Sequence, residues 1–265
     1  MQWDLTVGAA AEPVWLHRRT APPRTPLEPL ESLATRARYN RGQAIYEEDS
    51  AVDHWYRIVS GVARRYSLRT DGRRQIVDLL LPDDVFGFGT GGRHRFSVEA
   101  AIDGTVVARY PRARLKMLAS SSARVAHQLQ EASTEAMARL QTLILTLGRT
   151  TAEAKVGCFL LRLAERLSAD ATETLLLPIS REDIADHLAL TIETVSRSLT
   201  QLKRRGIIEL FGTRRIRIVD REAIEEADRF TARDDQAWKD DQAWPDRRLN
   251  APSIPERSCI VERRG

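Results

Sequence analysis

The sequence predicts an α+β protein made of three consecutive parts: an N-terminal antiparallel β-roll, one long helix, and a C-terminal winged helix-turn-helix. Three observations predict it. Short apolar runs separated by turn signals fill residues 30–109, a heptad-like apolar rhythm runs from 125 to 147, and two short capped helices followed by a two-stranded ribbon occupy 180–218. Alternation with period 2 marks strands and periods near 3.6 mark helices, so the regions differ in kind.

At 265 residues, 42% hydrophobic and 29% charged, the chain is long enough to bury a core and ordinary in composition for a globular protein. Its formal net charge of +4 suits an anionic partner without requiring one. The two cysteines, Cys158 and Cys259, build no disulfide framework or paired-cysteine metal site, which fits a reducing compartment. No run of 18 apolar residues is present to span a membrane, and the start lacks the pattern of a secretory signal, so the expected location is the cytoplasm.

In chain order, residues 1–28 hold Pro13, Pro22, Pro23 and Pro26 with little periodicity and read as a flexible leader. Residues 29–120 read as the roll. Asp71-Gly72, between Val62–Leu68 and Gln75–Leu81, signals a hairpin because Gly accepts the positive φ of a tight turn. Residues 121–149 read as a dimerisation helix. Its stripe is Val125, Leu129, Ala132, Ala136, Leu140, Leu143 and Leu147, spaced 4, 3, 4, 4, 3 and 4, and it extends about 34 Å. The plain alternative is that this stripe packs on its own domain. Gly148 and Thr150-Thr151 then break and recap the chain, and Val156, Leu160, Leu163 and Leu167 begin another amphipathic helix. On that helix Cys158 shares a face with Arg162 and Glu165, apart from the apolar stripe. A neighbouring cation favours thiolate, which makes Cys158 a candidate redox switch; the plain reading is a small packing residue. Residues 150–228 read as the winged helix-turn-helix. Residues 229–265 read as a disordered tail containing the repeat Asp234-Asp235-Gln236-Ala237-Trp238 and Asp240-Asp241-Gln242-Ala243-Trp244.

The helix pair carries the chemistry. Ser180 with Asp183 opens the first helix as a capping box, and Ile184, Ala185 and Leu188 form its apolar face. Thr191 caps the second helix, which turns Val195, Leu199 and Leu202 inward and stops at Gly206 after Lys203-Arg204-Arg205. Glu193, Ser196 and Arg197 lie at i, i+3 and i+4 and project together, in the half of the helix that meets base edges in this motif. Arg forks onto guanine O6 and N7, Glu accepts from cytosine N4, Ser bonds to either edge, and Ile192 suits a thymine methyl. The competing reading is a solvated Glu193–Arg197 pair, worth about 0.3–0.5 kcal/mol. Between Arg197 and Arg217 stand seven cations (Arg197, Lys203, Arg204, Arg205, Arg214, Arg215, Arg217) against one acid, Glu209. Such a field suits phosphates, with contacts expected from Lys203, Arg214 and Arg215 and from the hydroxyls of Ser180, Thr191 and Thr194.

With these parts in this order, the chain resembles the Crp/Fnr family of bacterial regulators over about Leu30 to Asp228, and within it the FixK/FNR-like branch. The words that carry the resemblance are Leu190-Thr191-Ile192-Glu193-Thr194-Val195-Ser196-Arg197, Asp71-Gly72-Arg73-Arg74-Gln75-Ile76 and Leu81-Pro82-Asp83-Asp84-Val85-Phe86-Gly87. The resemblance implies a cyclic-nucleotide-binding-like roll and a homodimer reading a palindrome with TTGA-type half-sites. It also implies activation through contact with RNA polymerase, and low-oxygen or nitrogen-fixation genes as targets. Cyclic-AMP receptors of the family carry Arg where Ile192 stands, and Gly-Glu and Arg-Ser pairs where this chain has Phe86-Gly87-Phe88-Gly89 and Arg95-Phe96. The cysteine cluster of iron–sulfur sensors is missing, and His54, His94 and His127 stand isolated. No cofactor and no metal are therefore expected. A different reading makes the roll a small-molecule sensor and the head a protein-docking module. No nucleophile–base pair, metal cluster or phosphate loop supports an enzyme.

Overall fold

The turn signals between residues 30 and 109 separate eight strands that form two four-stranded antiparallel sheets. The computed structural model describes residues 28–89, 91–167 and 174–226; the leader read over residues 1–28, apart from Glu28, and the tail lie outside them. After a one-turn helix α1 (Glu28–Glu31) come β1 (Thr35–Tyr39), β2 (Ala44–Tyr46), β3 (His54–Ser60), β4 (Ala63–Leu68), β5 (Arg74–Leu80), β6 (Val85–Phe86), β7 (Ser97–Ala100) and β8 (Thr105–Pro111). One sheet has the order β1-β8-β3-β6 and the other β2-β7-β4-β5. Their inward side chains, among them Tyr39, Tyr56, Ile58, Leu80, Phe86, Val98 and Val107, form a buried cluster. The expected hairpin joins β4 to β5, with Gly72 at φ +78°. Gly61 has a second reason to be glycine: at φ +86°, a Cβ there would stand 2.6 Å from Thr105 Oγ1.

Helices follow: α2 (Arg112–Ser121), α3 (Ala123–Leu147) and α4 (Ala152–Arg166). Ser122 caps α3 and Thr151 caps α4, each accepting a backbone N–H of the first turn. Among the described residues no helix is long and apolar enough to cross a membrane. Arg139 of α3 donates to Asp78 and Asp84 of the roll at 3.4 and 3.3 Å, and Arg166 of α4 reaches Asp84 and the Leu79 carbonyl. Burial alone would push the Arg139 guanidinium down; Asp84 and Asp78 outweigh it, so the helix is fastened through a charged, paired contact.

That fastening divides the stripe read on α3. Val125 is buried with Leu30, Ala108, Tyr110 and Leu115, and Ala136 is buried as well, so both pack within the chain and not on a partner. Leu129, Ala132, Leu140, Leu143 and Leu147 are half-buried at the flank. The large apolar side chains of α3 left in solvent are Met137, Ile144 and Leu145, at 60%, 68% and 65% exposure. Ser133, Met137, Leu140, Ile144 and Leu147 then run 4, 3, 4 and 3 along one outward face.

The C-terminal part continues with β9 (Leu175–Leu176), α5 (Arg181–Leu188), α6 (Ile192–Arg204), β10 (Ile208–Phe211) and β11 (Arg215–Ile218). The expected two-stranded wing is a three-stranded sheet, because β9 pairs with β11. One buried cluster runs from the roll (Val62, Ile76, Leu79, Leu81) through α4 to α5, α6 and the wing. Cys158 belongs to it. The expected redox residue is buried, because α4 is enclosed on most of its circumference and not on one stripe, so its sulfur is not the exposed group that a solvated helix face would present.

Candidate nucleic-acid interface

Helix α5 begins as the capping box predicts, with Ser180 Oγ accepting from the Asp183 N–H at 3.1 Å. Ser180 gives both of its own protons to Asp183 Oδ2, from N at 3.0 Å and Oγ at 2.8 Å. The expected phosphate contact from this residue is corrected: the cap leaves it no donor. The helix closes on Ala189, which takes a left-handed φ of +54°, and two residues later Thr191 caps α6.

Along α6 the inner face is shut: Val195, Ser198, Leu199 and Leu202 are buried, packed on α4, α5 and β10. The outer face carries the candidate readers. Ile192 is 44% exposed, and Glu193 and Arg197 are exposed. The backbone N–H of Glu193 and the Thr191 hydroxyl hold the Glu193 carboxyl below its usual range, so it is an ionised acceptor. Arg197 donates to Thr194 Oγ1 at 3.3 Å, and no ion pair closes between Glu193 and Arg197 among the described residues. Both groups therefore remain available to a duplex. Ser196 is half-buried; its Oγ accepts from Arg181 Nη1 at 3.1 Å and keeps its own proton to donate. Arg181 was not singled out from the sequence. Its place at the first position of α5 is the only signal it gives, and that alone does not tell which neighbour it meets.

Of the expected phosphate groups, Thr191 and Thr194 share a hydrogen bond between their hydroxyls (3.0 Å) beside the N-terminal turn, where the helix dipole favours an anion. Lys203, Arg204, Arg214 and Arg215 are exposed. Two cations of the basic run are neutralised: Arg205 pairs with Glu153 and Arg217 with Glu209, each at 2.5 Å. The ribbon tip turns at Gly212 (φ +68°), placing Arg214 and Arg215 next to exposed Phe211.

Comparison with known proteins agrees with this geometry. Residues 154–227 match the model of the Crp-like helix-turn-helix domain and residues 36–122 that of the cyclic nucleotide-binding domain. The chain is 42% identical over 206 residues to the nitrogen fixation regulation protein FixK of Azorhizobium caulinodans, covering 77% of this chain and 83% of that one. It is 38% identical over 186 residues to FixK of Bradyrhizobium diazoefficiens, covering 69% and 78%. Among solved structures, FixK2 from Bradyrhizobium japonicum superposes with a TM-score of 0.68 at 39% identity, over 73% of this chain and 96% of that one.

Proposed function

The chain belongs to the Crp/Fnr family of transcription regulators, in its FixK-like branch, and from that premise we propose that it binds a palindromic duplex of TTGA-type half-sites as a homodimer and activates transcription. In this reading residues 29–120 are a scaffold, 121–149 the dimerisation helix and 150–228 the DNA-reading head. Ile192, Glu193, Ser196 and Arg197 read bases; Thr191, Thr194, Lys203, Arg214 and Arg215 hold phosphates. The observation that carries the reading is the asymmetry of α6, whose apolar face is sealed while the carboxylate of Glu193 and the guanidinium of Arg197 stay exposed beside the half-buried hydroxyl of Ser196. The regulator acts in the cytoplasm and touches RNA polymerase. The names of its FixK relatives point to nitrogen-fixation genes as targets, and low-oxygen genes are the other class that the resemblance implies.

A second reading, in which the roll senses a small molecule, draws on the match to a cyclic nucleotide-binding domain. Against it, the roll interior is filled by stacked rings: His94 lies on Tyr46 with centroids 3.7 Å apart, and Tyr46, Tyr56 and Phe86 stand within 5.1–6.1 Å of one another. Selection of bound sequences from random DNA tests the first reading. Arg197→Ala is expected to relax discrimination at one base position by about 1–3 kcal/mol, whereas Arg214→Ala weakens every sequence alike and lowers the salt slope by about one. Equal losses on all sequences for both variants would overturn the assignment.

A further inference from the structure

The β4–β5 hairpin meets the head through a charged cluster that the fold alone does not require. Arg64, 6% exposed and the second residue of β4, donates from Nε to Glu99 Oε1 at 2.6 Å and from Nη1 to Asp183 Oδ1. Arg74 at the start of β5 reaches Asp186 Oδ2 (3.0 Å), Glu99 Oε1 (3.0 Å) and Asp183 Oδ1 (3.4 Å). Gln75 Nε2 donates to the Asp186 carbonyl at 2.7 Å, and the His187 ring nitrogen Nδ1 donates to the Ile76 carbonyl at 3.1 Å. Asp183 is used twice. Its Oδ2 closes the capping box of α5, and its Oδ1 takes both roll arginines. From there the path to the reading face is short, since Arg181, in the same first turn, bonds Ser196 of α6.

We propose that Arg64, Arg74 and Gln75 are positioning residues for DNA reading, which clamp α5 to the roll and so set the direction in which α6 leaves the dimer. The proposal rests on the reading above, a dimer on a palindrome. Its physical basis is directional. Apolar contacts between Ile76 or Leu79 and the head hold the parts together but are indifferent to small rotations. A buried ionic cluster costs desolvation and is stable only with its partners in register, so it selects one arrangement more than it adds stability. Two heads must reach half-sites about 34–36 Å apart. A clamped head meets the second half-site at high effective concentration, whereas a loose one must be ordered on binding. The residues therefore act on the joint reading of two half-sites and not on either one alone.

The test uses the full-length protein and three duplexes: the selected palindrome, the same palindrome with its spacer changed by one base pair, and a duplex with a single half-site. Arg74→Met, which keeps volume and removes the charge, is expected to weaken palindrome binding about tenfold and single half-site binding less than about twofold, while flattening the spacer preference. Gln75→Ala, on a half-buried side chain with no charge to strand, reads the same ratio if Arg74→Met unfolds. An unchanged palindrome-to-half-site ratio in the folded variants, including one produced by equal loss on both duplexes, overturns the proposal. Failure of the wild-type protein to bind any selected palindrome overturns instead the reading on which it rests.

Discussion

At the scale of single residues, His187 shows how the junction between roll and head responds to acid. Burial pushes its imidazole down to about 4, against an ordinary value of 6.5, and its Nδ1–H is spent on the Ile76 carbonyl. With the folded value below the unfolded one, the unfolded chain takes up the proton first as pH falls. The contribution of His187 is present above about pH 6.5 and is lost on the way down to about pH 4, by up to about 3 kcal/mol. Urea unfolding at pH 7 and pH 5 is expected to show a steeper loss for the wild type than for His187→Asn; parallel losses would remove the role. Residue-level reasoning from sequence works where a side chain serves its own element. Ser180, Thr191 and Gly206 are legible as caps and stops because their partners lie within a few positions. Arg64 and Asp183 are not, since 119 positions separate them and neither carries a local signature of the other.

At the scale of elements, α3 is amphipathic twice. One side fits the roll through Val125, Ala136 and Arg139, the other is left with Met137 and Ile144, and Leu140 and Leu147 sit between. Periodicity counts apolar positions and not the surfaces they meet, so the two faces merge into one broad stripe in the sequence. The same limit explains Cys158. A helical wheel assumes a solvated back, and α4 has almost none. Met137→Glu with Ile144→Glu is expected to convert a dimer to a monomer in sedimentation equilibrium and to leave the monomer folded, with a melting temperature that no longer rises with protein concentration, because both side chains are exposed on the single chain. Val125→Ala is expected to do the reverse, costing about 1–3 kcal/mol of stability and leaving the association state alone. A dimer that survives the double glutamate variant would place the interface elsewhere. The outer face of α6 is legible for the opposite reason: its apolar positions are few and clean, so the remainder stands out.

At the scale of the whole molecule, the order of roll, long helix and winged head is legible because period 2 gives way to period 3.6 and then to capped short helices. How the parts join is not, since the joining core draws Val62, Ile76 and Leu79 from one end of the chain and Leu160, Leu188, Leu199 and Ile216 from the other. A shared core couples the parts, so calorimetry is expected to show one unfolding transition with calorimetric and van't Hoff enthalpies in agreement; two separated peaks would contradict it. The continuity also bears on how the protein is made. A ribosome delivers the roll first, and its surface at Ile76, Leu79 and Leu81 stays incompletely covered until α4 and α5 have emerged. Nascent chains stalled before that point would carry a sticky apolar flank, and shortened products lacking the head would precipitate or recruit chaperones in place of persisting as free rolls.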